Sequence, residues 1–261
     1  MFSRHQEAIV DTLDRDGHTG SVTDVKLVSD SLVLSSSKDS TIRIWSKKTK
    51  RSKFASSVVF QHAQKSVNAL ALHPVNHVFG SASEDGFWRI YDIDSETLLA
   101  SSTESQGGYN AFVFHPDGAL ALSGLVSGGI ELIDVRSSRV EQILPHGPGL
   151  TKLDACENGF QFASGDSQGL VKLWDVRKVQ AFQDIREDSS ICSLSYSPTG
   201  HYLGIGSSSQ VKVYSFGKPS WSEVASFSEH KGFVTGIKMS SNLDVIASVS
   251  LDKKLMFHGA V

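Results

Sequence analysis

Short apolar runs recur along the chain, each bounded by turn residues. Val67-Asn68-Ala69-Leu70-Ala71-Leu72 alternates apolar with small or polar residues, and Val171-Lys172-Leu173-Trp174 does the same. A period of two puts successive side chains on opposite faces of a strand. Between the runs stand His73-Pro74, His115-Pro116-Asp117-Gly118, Glu157-Asn158-Gly159 and Ser197-Pro198-Thr199-Gly200. Proline presets φ, Asp and Asn side chains close turns on their own backbone, and glycine accepts positive φ. No long stretch keeps a helical periodicity. The pattern predicts an all-β chain.

A longer pattern organises these strands. It opens with a His in a polar turn, continues through a β-rich run and a small, polar turn carrying Asp, and ends on an aromatic or apolar anchor. The clearest copy starts at Gly17-His18, passes Val22-Thr23-Asp24-Val25 and Leu32-Val33-Leu34-Ser35-Ser36, turns at Lys38-Asp39 and ends Ile42-Arg43-Ile44-Trp45. The anchors are Trp45, Tyr91, Ile133, Trp174, Tyr214 and His258, spaced 40 to 46 residues apart. That period accommodates four short strands, as in the WD repeats of a β-propeller. Six units account for nearly the whole chain, so residues 1–261 read as one propeller domain of four-stranded antiparallel blades. Phe2 lies 43 residues before Trp45, where a further anchor would fall. The expectation is six full repeats plus the remnant of a seventh, with residues 1–13 as remnant and Glu7-Ala8-Ile9-Val10-Asp11-Thr12-Leu13 as an outer strand. That strand either stays with the remnant or pairs near Leu255-Met256-Phe257 and closes a six-bladed ring. The sequence leaves the closed ring and the open arc of a larger propeller both open.

Composition narrows the function. Of 261 residues, 39% are hydrophobic and 20% charged, which suits a globular chain with a sizeable core. A net charge of −3 and a pI near 6.4 argue against a broad electrostatic grip on nucleic acid or an anionic membrane. Neither is expected as a partner. The first residues lack the apolar core of a signal peptide, and no apolar run approaches the ~20 residues that span a bilayer. The chain reads as soluble and intracellular, with Cys156 and Cys192 as buried thiols. The ten histidines show no HxH or HExxH spacing, so neither a metal nor another cofactor is expected. Lys47, Lys48, Lys50, Arg51 and Lys53 form a basic cluster. It reads as a nuclear import signal or nucleic-acid contact, or more simply as a solvated loop between the third and fourth strands, which is the reading preferred.

His18, a serine among Ser35 to Ser37, Asp39 and Trp45 contain the parts of a hydrolase triad. They equally make a buried hydrogen-bond chain locking a blade. Repetition decides for the second: His62 is expected to pair with Asp85 and Tyr91, and His230 with Asp252, with His258 at the anchor. His146 has Gln168 at the Asp position and Trp174 at the anchor. A triad is needed once, a blade lock in every blade. No catalytic residue is assigned. Repeats three and five carry Ser127 and Ser208 at the Asp position and lack the His, so they are expected to rest more on apolar packing. The loops between strands four and one, and two and three, gather on one face of a propeller. Thr19, Lys38, Lys65, Glu84, Lys231 and Lys253 are expected there as partner-binding residues. The function class is a protein-docking scaffold.

The chain resembles the WD-repeat family throughout. Several stretches are similar more narrowly to the C-terminal propeller of the pre-mRNA-processing factor 19 family, splicing factors that are also U-box ubiquitin ligases. They are Phe114-His115-Pro116-Asp117-Gly118, Glu157-Asn158-Gly159, and Val171-Lys172-Leu173-Trp174-Asp175-Val176-Arg177-Lys178 followed by Phe182. Ser197-Pro198-Thr199-Gly200-His201-Tyr202-Leu203-Gly204-Ile205 and Ser250-Leu251-Asp252-Lys253-Lys254-Leu255 with Phe257 complete the set. This resemblance implies a nuclear protein of a spliceosome-associated complex, with ties to ubiquitin transfer and DNA repair. The sequence carries neither the U-box nor the coiled coil of that family, so it is not expected to transfer ubiquitin or to self-associate by itself. Ile133-Asp134-Val135-Arg136 and Leu173-Trp174-Asp175-Val176-Arg177 also resemble the WDxR box of receptors that dock on cullin-RING ligases. This implies adaptor docking through Arg136 and Arg177, or else two solvated turn residues. A generic WD-repeat adaptor is the remaining alternative.

Overall fold

The computed structural model describes residues 17–259 apart from 48, 50–52, 76, 106, 218–219 and 241–244. Residues 1–13, expected as remnant or outer strand, and Lys48, Lys50 and Arg51 of the basic cluster lie outside the described residues.

Strands and turns account for the described residues, with no helix among them. Blade one holds β1 (Val22–Ser29), β2 (Leu32–Ser37), β3 (Ile42–Ser46) and β4 (Ala55–Phe60). Blade two holds β5 (Val67–Leu72), β6 (Val78–Ser83), β7 (Trp88–Asp92) and β8 (Leu98–Ser101). Blade three holds β9 (Tyr109–Phe114), β10 (Leu120–Leu125), β11 (Gly129–Asp134) and β12 (Arg139–Pro145). Blade four holds β13 (Leu150–Ala155), β14 (Gln161–Asp166), β15 (Leu170–Asp175) and β16 (Gln180–Arg186). Blade five holds β17 (Ser193–Tyr196), β18 (Tyr202–Gly206), β19 (Val211–Gly217) and β20 (Ser220–Phe227). Blade six shows β21 (Val234–Met239), β22 (Val245–Ser250) and β23 (Leu255–Gly259). Each blade is an antiparallel meander in chain order. The six inner strands, β1, β5, β9, β13, β17 and β21, line a central channel of about 520 Å³, which makes the molecule a six-bladed β-propeller.

Two devices join consecutive blades. The first is apolar: the inner strand of one blade packs on the second and third strands of the blade before it. Val67 sits with Leu34, Ile42 and Ile44, and Leu150 with Leu122 and Ile130. Ile191 sits with Ala163, Val171 and Leu173, and Val234 with Val211 and Val213. Burying each such side chain contributes roughly 1.5–3 kcal/mol, so these joints dominate the stability of the ring. The second device is polar. Thr23 donates to the Val67 carbonyl, Asn68 to that of Tyr109 (3.0 Å), Asn110 to that of Leu150 (3.0 Å) and Thr151 to that of Ile191 (2.6 Å). The Ser193 hydroxyl accepts the Ile237 N–H at 3.0 Å. These bonds satisfy backbone groups that face a neighbouring inner strand rather than a ladder partner.

Within blades one to five the register of the outer pair slips beside the anchor: at Ile44/Trp45, Ile90/Tyr91, Leu132/Ile133, Leu173/Trp174 and Val213/Tyr214. A bulge there increases the local twist, so the outer strand turns away from the plane of the inner one.

Candidate docking rim

The rim on one face is shaped by the turns that bear His and Asp. In blade one, Asp39 accepts the Thr19 N–H (2.9 Å), the Thr41 N–H (3.0 Å) and hydroxyl (2.6 Å), and His18 Nδ1–H (2.9 Å). His18 Nε2 accepts the Ser35 hydroxyl at 2.7 Å, and Ser35 Oγ in turn accepts the Trp45 indole N–H at 2.8 Å. Burial alone would raise the Asp39 carboxyl; the bonds from Thr41, Thr19 and His18 outweigh it and hold the group well below the usual carboxylate range. The chain ties the loop before β1 to the β2–β3 turn. Blade six repeats it: His230 meets Asp252 at 3.0 Å and Ser248 at 2.8 Å, and Ser248 meets His258 at 2.8 Å. Asp252 also accepts the Lys231 N–H at 2.9 Å, the leading cause that lowers its carboxyl to about 2.

Four blades depart from the sequence reading. The expected His62–Asp85 pair is not formed. Arg89, four residues beyond Asp85, grips both carboxylate oxygens at 3.2 and 2.9 Å, and His62 is left exposed with its ring against Tyr91 at 5.6 Å. A guanidinium fits a carboxylate with two parallel bonds, which an imidazole cannot do. In blade four Gln168 does not stand in for the acid. His146 meets Ser164 at 2.6 Å and lies 3.4 Å from Asp166, and Trp174 donates to Ser164 at 2.7 Å. Blades three and five are not held by apolar packing alone. Buried Glu131 accepts the Trp88 indole N–H (3.2 Å) and the Tyr109 hydroxyl (3.0 Å). Glu187 accepts the Tyr214 hydroxyl at 2.8 Å and pairs with Lys212 at 2.8 Å. Sequence reasoning missed Arg89, Glu131, Asp166 and Glu187 because it searched fixed positions, whereas the structure requires only that each buried donor reach some acceptor.

Ser35 and His18 are buried, and their polar atoms are engaged with each other and with Trp45 and Asp39, so the hydrolase-like trio of blade one serves the blade. Thr19, Lys38, Lys65, Glu84, Lys231 and Lys253 are all exposed. The clamps bring them together in pairs: the Thr19 N–H binds Asp39 beside Lys38, and the Lys231 N–H binds Asp252 beside Lys253. Lys65 and Glu84 border a polar recess shared with Asp85, Glu104 and Gly108. Arg136 stands in the turn between β11 and β12 and Arg177 in the turn between β15 and β16, both exposed. Arg177 folds back on Asp175 at 3.2 Å and stacks over Phe160 at 4.6 Å. Among the described residues no group of three or more His, Cys, Asp or Glu is arranged to hold a metal ion.

The family model for the WD domain, G-beta repeat, matches residues 9–46, 55–92, 180–215 and 221–258, more than half of the chain. The chain belongs to the WD-repeat family. This WD-repeat chain is 34% identical to pre-mRNA-processing factor 19 homolog 2 of Arabidopsis thaliana, over 99% of its own length and 50% of the relative. It is 31% identical to pre-mRNA-processing factor 19 of Oryza sativa subsp. japonica, with 99% and 50% covered, and 33% identical to that of Homo sapiens, with 99% and 51% covered. The chain thus spans about half the length of these relatives. Three of the matched WD units run from the outer strand of one blade to the anchor of the next: 55–92 from β4 to β7, 180–215 from β16 to β19 and 221–258 from β20 to β23.

Proposed function

We propose that this chain is a protein-docking module of the pre-mRNA-processing factor 19 type, acting in the nucleus within a splicing-associated assembly. The observation that carries this reading is the rim: Asp39, Asp85 and Asp252 each hold a four-to-one loop against a two-to-three turn, through Thr19, Gln64 and Lys231. Loops fixed in this way form a preorganised surface, so a partner that seats on it loses little loop entropy. The exposed Lys38, Lys65, Glu84, Lys231 and Lys253 then select the partner by charge. In this reading the module positions partners or ubiquitination substrates, and ubiquitin transfer belongs to a U-box elsewhere.

The test is co-purification from nuclear extract, with the human relative's propeller as positive control. The chain is expected to retain splicing proteins, and the Lys38→Glu, Lys231→Glu, Lys253→Glu version to lose them while melting at an unchanged temperature. Retention by the control and not by the chain overturns the reading. A cullin-RING receptor role would use Arg136 and Arg177. The closed Arg177–Asp175 contact speaks against it, since an adaptor would first have to open that pair.

A further inference from the structure

The rim of blade six presents something the other blades do not. Immediately before the inner strand, blades one to four carry Ser21, Ser66, Gly108 and Gly149, and blade six carries Phe233. Immediately after the second strand, blades one to five carry Lys38, Glu84, Val126, Ser167 and Ser207, and blade six carries Leu251. The Leu251 N–H donates to the Phe233 carbonyl at 3.0 Å, so the two stand side by side. Phe233 is 46% exposed and Leu251 65%, whereas Val126, the other apolar residue in these places, is half-buried. Leu251 holds a place that is open where another blade follows too: Lys38, Glu84 and Ser167 are exposed although blades two, three and five pack beside them. Phe233 stands over the joint with blade five, which Val234 closes against Val211 and Val213.

The pair is held rigidly and ringed by cations. Gly232 lets the two turns approach, since a Cβ there would stand 3.1 Å from the Asp252 nitrogen. Ser250 donates to the Gly232 carbonyl at 2.9 Å, and Asp252 accepts the N–H groups of Lys231 and Lys254, both at 2.9 Å. Lys253 holds a φ of +65°, the left-handed conformation that Gly86, Gly128 and Gly169 take at the same place in blades two, three and four. A side chain there is strained where glycine is not, and in return it puts a cation in the same tight turn as Leu251. Lys231, Lys253 and Lys254 are all exposed. The carboxylates nearest in sequence are engaged elsewhere, Asp252 with His230 at 3.0 Å and Glu229 with His258 at 3.5 Å.

We propose that Phe233 and Leu251 are the anchor of the docking rim, and that its occupant is an acidic peptide segment of a partner protein carrying one large apolar side chain among Asp and Glu residues. This rests on the reading of the rim as a docking surface and names the chemistry of its ligand. A fixed apolar pair in a polar surround concentrates binding energy on a few contacts. The lysines favour acidic neighbours for the seated side chain and repel basic ones. A purely apolar segment would strip water from three ammonium groups without pairing them, and a purely acidic one would leave Phe233 and Leu251 in water. A segment with both features satisfies both.

The experiment pans a displayed library of random short peptides against the full chain, then measures the recovered peptides by fluorescence anisotropy. They are expected to carry Asp or Glu around a large apolar residue. Phe233→Ser and Leu251→Ser should each weaken their binding at least about tenfold without lowering Tm, because both side chains lie in water in the free protein. Lys253→Gly should weaken binding and leave Tm unchanged or higher, since glycine takes the left-handed turn without strain; a merely structural Lys253 would give no loss of affinity. Added salt should weaken binding further. No enrichment, recovered peptides without acidic residues, or affinity unchanged in either Phe233→Ser or Leu251→Ser overturns the proposal. Affinity that survives both Lys253→Gly and added salt overturns the acidic assignment. The peptide assay does not depend on which assembly the chain joins, so the anchor can stand if nuclear co-purification fails. If the lysine variant loses splicing proteins while both serine variants bind the peptides like wild type, the rim reading stands and the anchor falls.

Discussion

Replacing Glu131 by alanine leaves two buried donors, the Trp88 indole N–H of blade two and the Tyr109 hydroxyl of blade three, without their acceptor. An orphaned buried donor costs about 1–3 kcal/mol. Removing a carboxylate that burial disfavours returns part of this, so the net loss is about 2–4 kcal/mol. For a domain of this size that lowers Tm by roughly 4–16 °C. Glu131→Gln keeps one oxygen acceptor and drops the charge, and its loss should be less than half as large. The pH dependence separates the two effects. Burial pushes the Glu131 carboxyl above its ordinary value, more than the hydrogen bonds from Tyr109 and Trp88 pull it down. The native state then holds this proton more tightly than the unfolded chain, so the site's contribution to stability is largest below the ordinary carboxylate range. It declines as pH rises through the raised native value. Melting followed by circular dichroism from pH ~4 to ~8 should show this decline in the wild type and lack its share in Glu131→Gln. A Glu131→Ala protein melting within about 1 °C of wild type would refute the reasoning, since the two donors would then have found other partners.

Three further outcomes follow from the blade networks. Arg89→Ala strands the buried Asp85 carboxylate and should cost about 3–5 kcal/mol in urea unfolding, with part recovered when Asp85→Ala is added. Trp174→Phe keeps the stacking on Phe162 but loses the donation to Ser164 and some volume; a loss of about 1–3 kcal/mol is expected by the same assay. Asp39, held below the ordinary carboxylate range, contributes stability above that range and loses it as pH falls toward its depressed native value. Asp39→Asn should therefore flatten the acid limb of the melting profile, and an unchanged limb would show that the His18 clamp carries no such linkage.

Much of this architecture was legible in the residues. Alternation in Val67–Leu72, glycine and proline in the turns, and anchors 40 to 46 residues apart specify strands, hairpins and six units, because each is a local property of the chain. The lock of blade one was equally readable, since His18, Ser35, Asp39 and Trp45 belong to one unit at fixed offsets. A recurrent signal went unused: Thr23, Asn68, Asn110 and Thr151 follow the first apolar residue of their inner strands, and each turned out to bond the next blade.

Tertiary structure decided the rest. Which side chain reaches Asp85 depends on the distance from the loop before β5, where His62 stands, against that from β7, where Arg89 stands four residues away. Glu131 meets Tyr109 across 22 residues of chain and Trp88 across 43, a contact that no spacing rule within one repeat contains. The joint between blades six and one is the clearest case. Leu255 and Phe257 have the same apolar character and register as Ile42 and Ile44, yet they stay exposed. Their burial depends on where the accumulated rotation of six blades brings β1 relative to β23, and that angle is a property of the whole ring rather than of any one repeat.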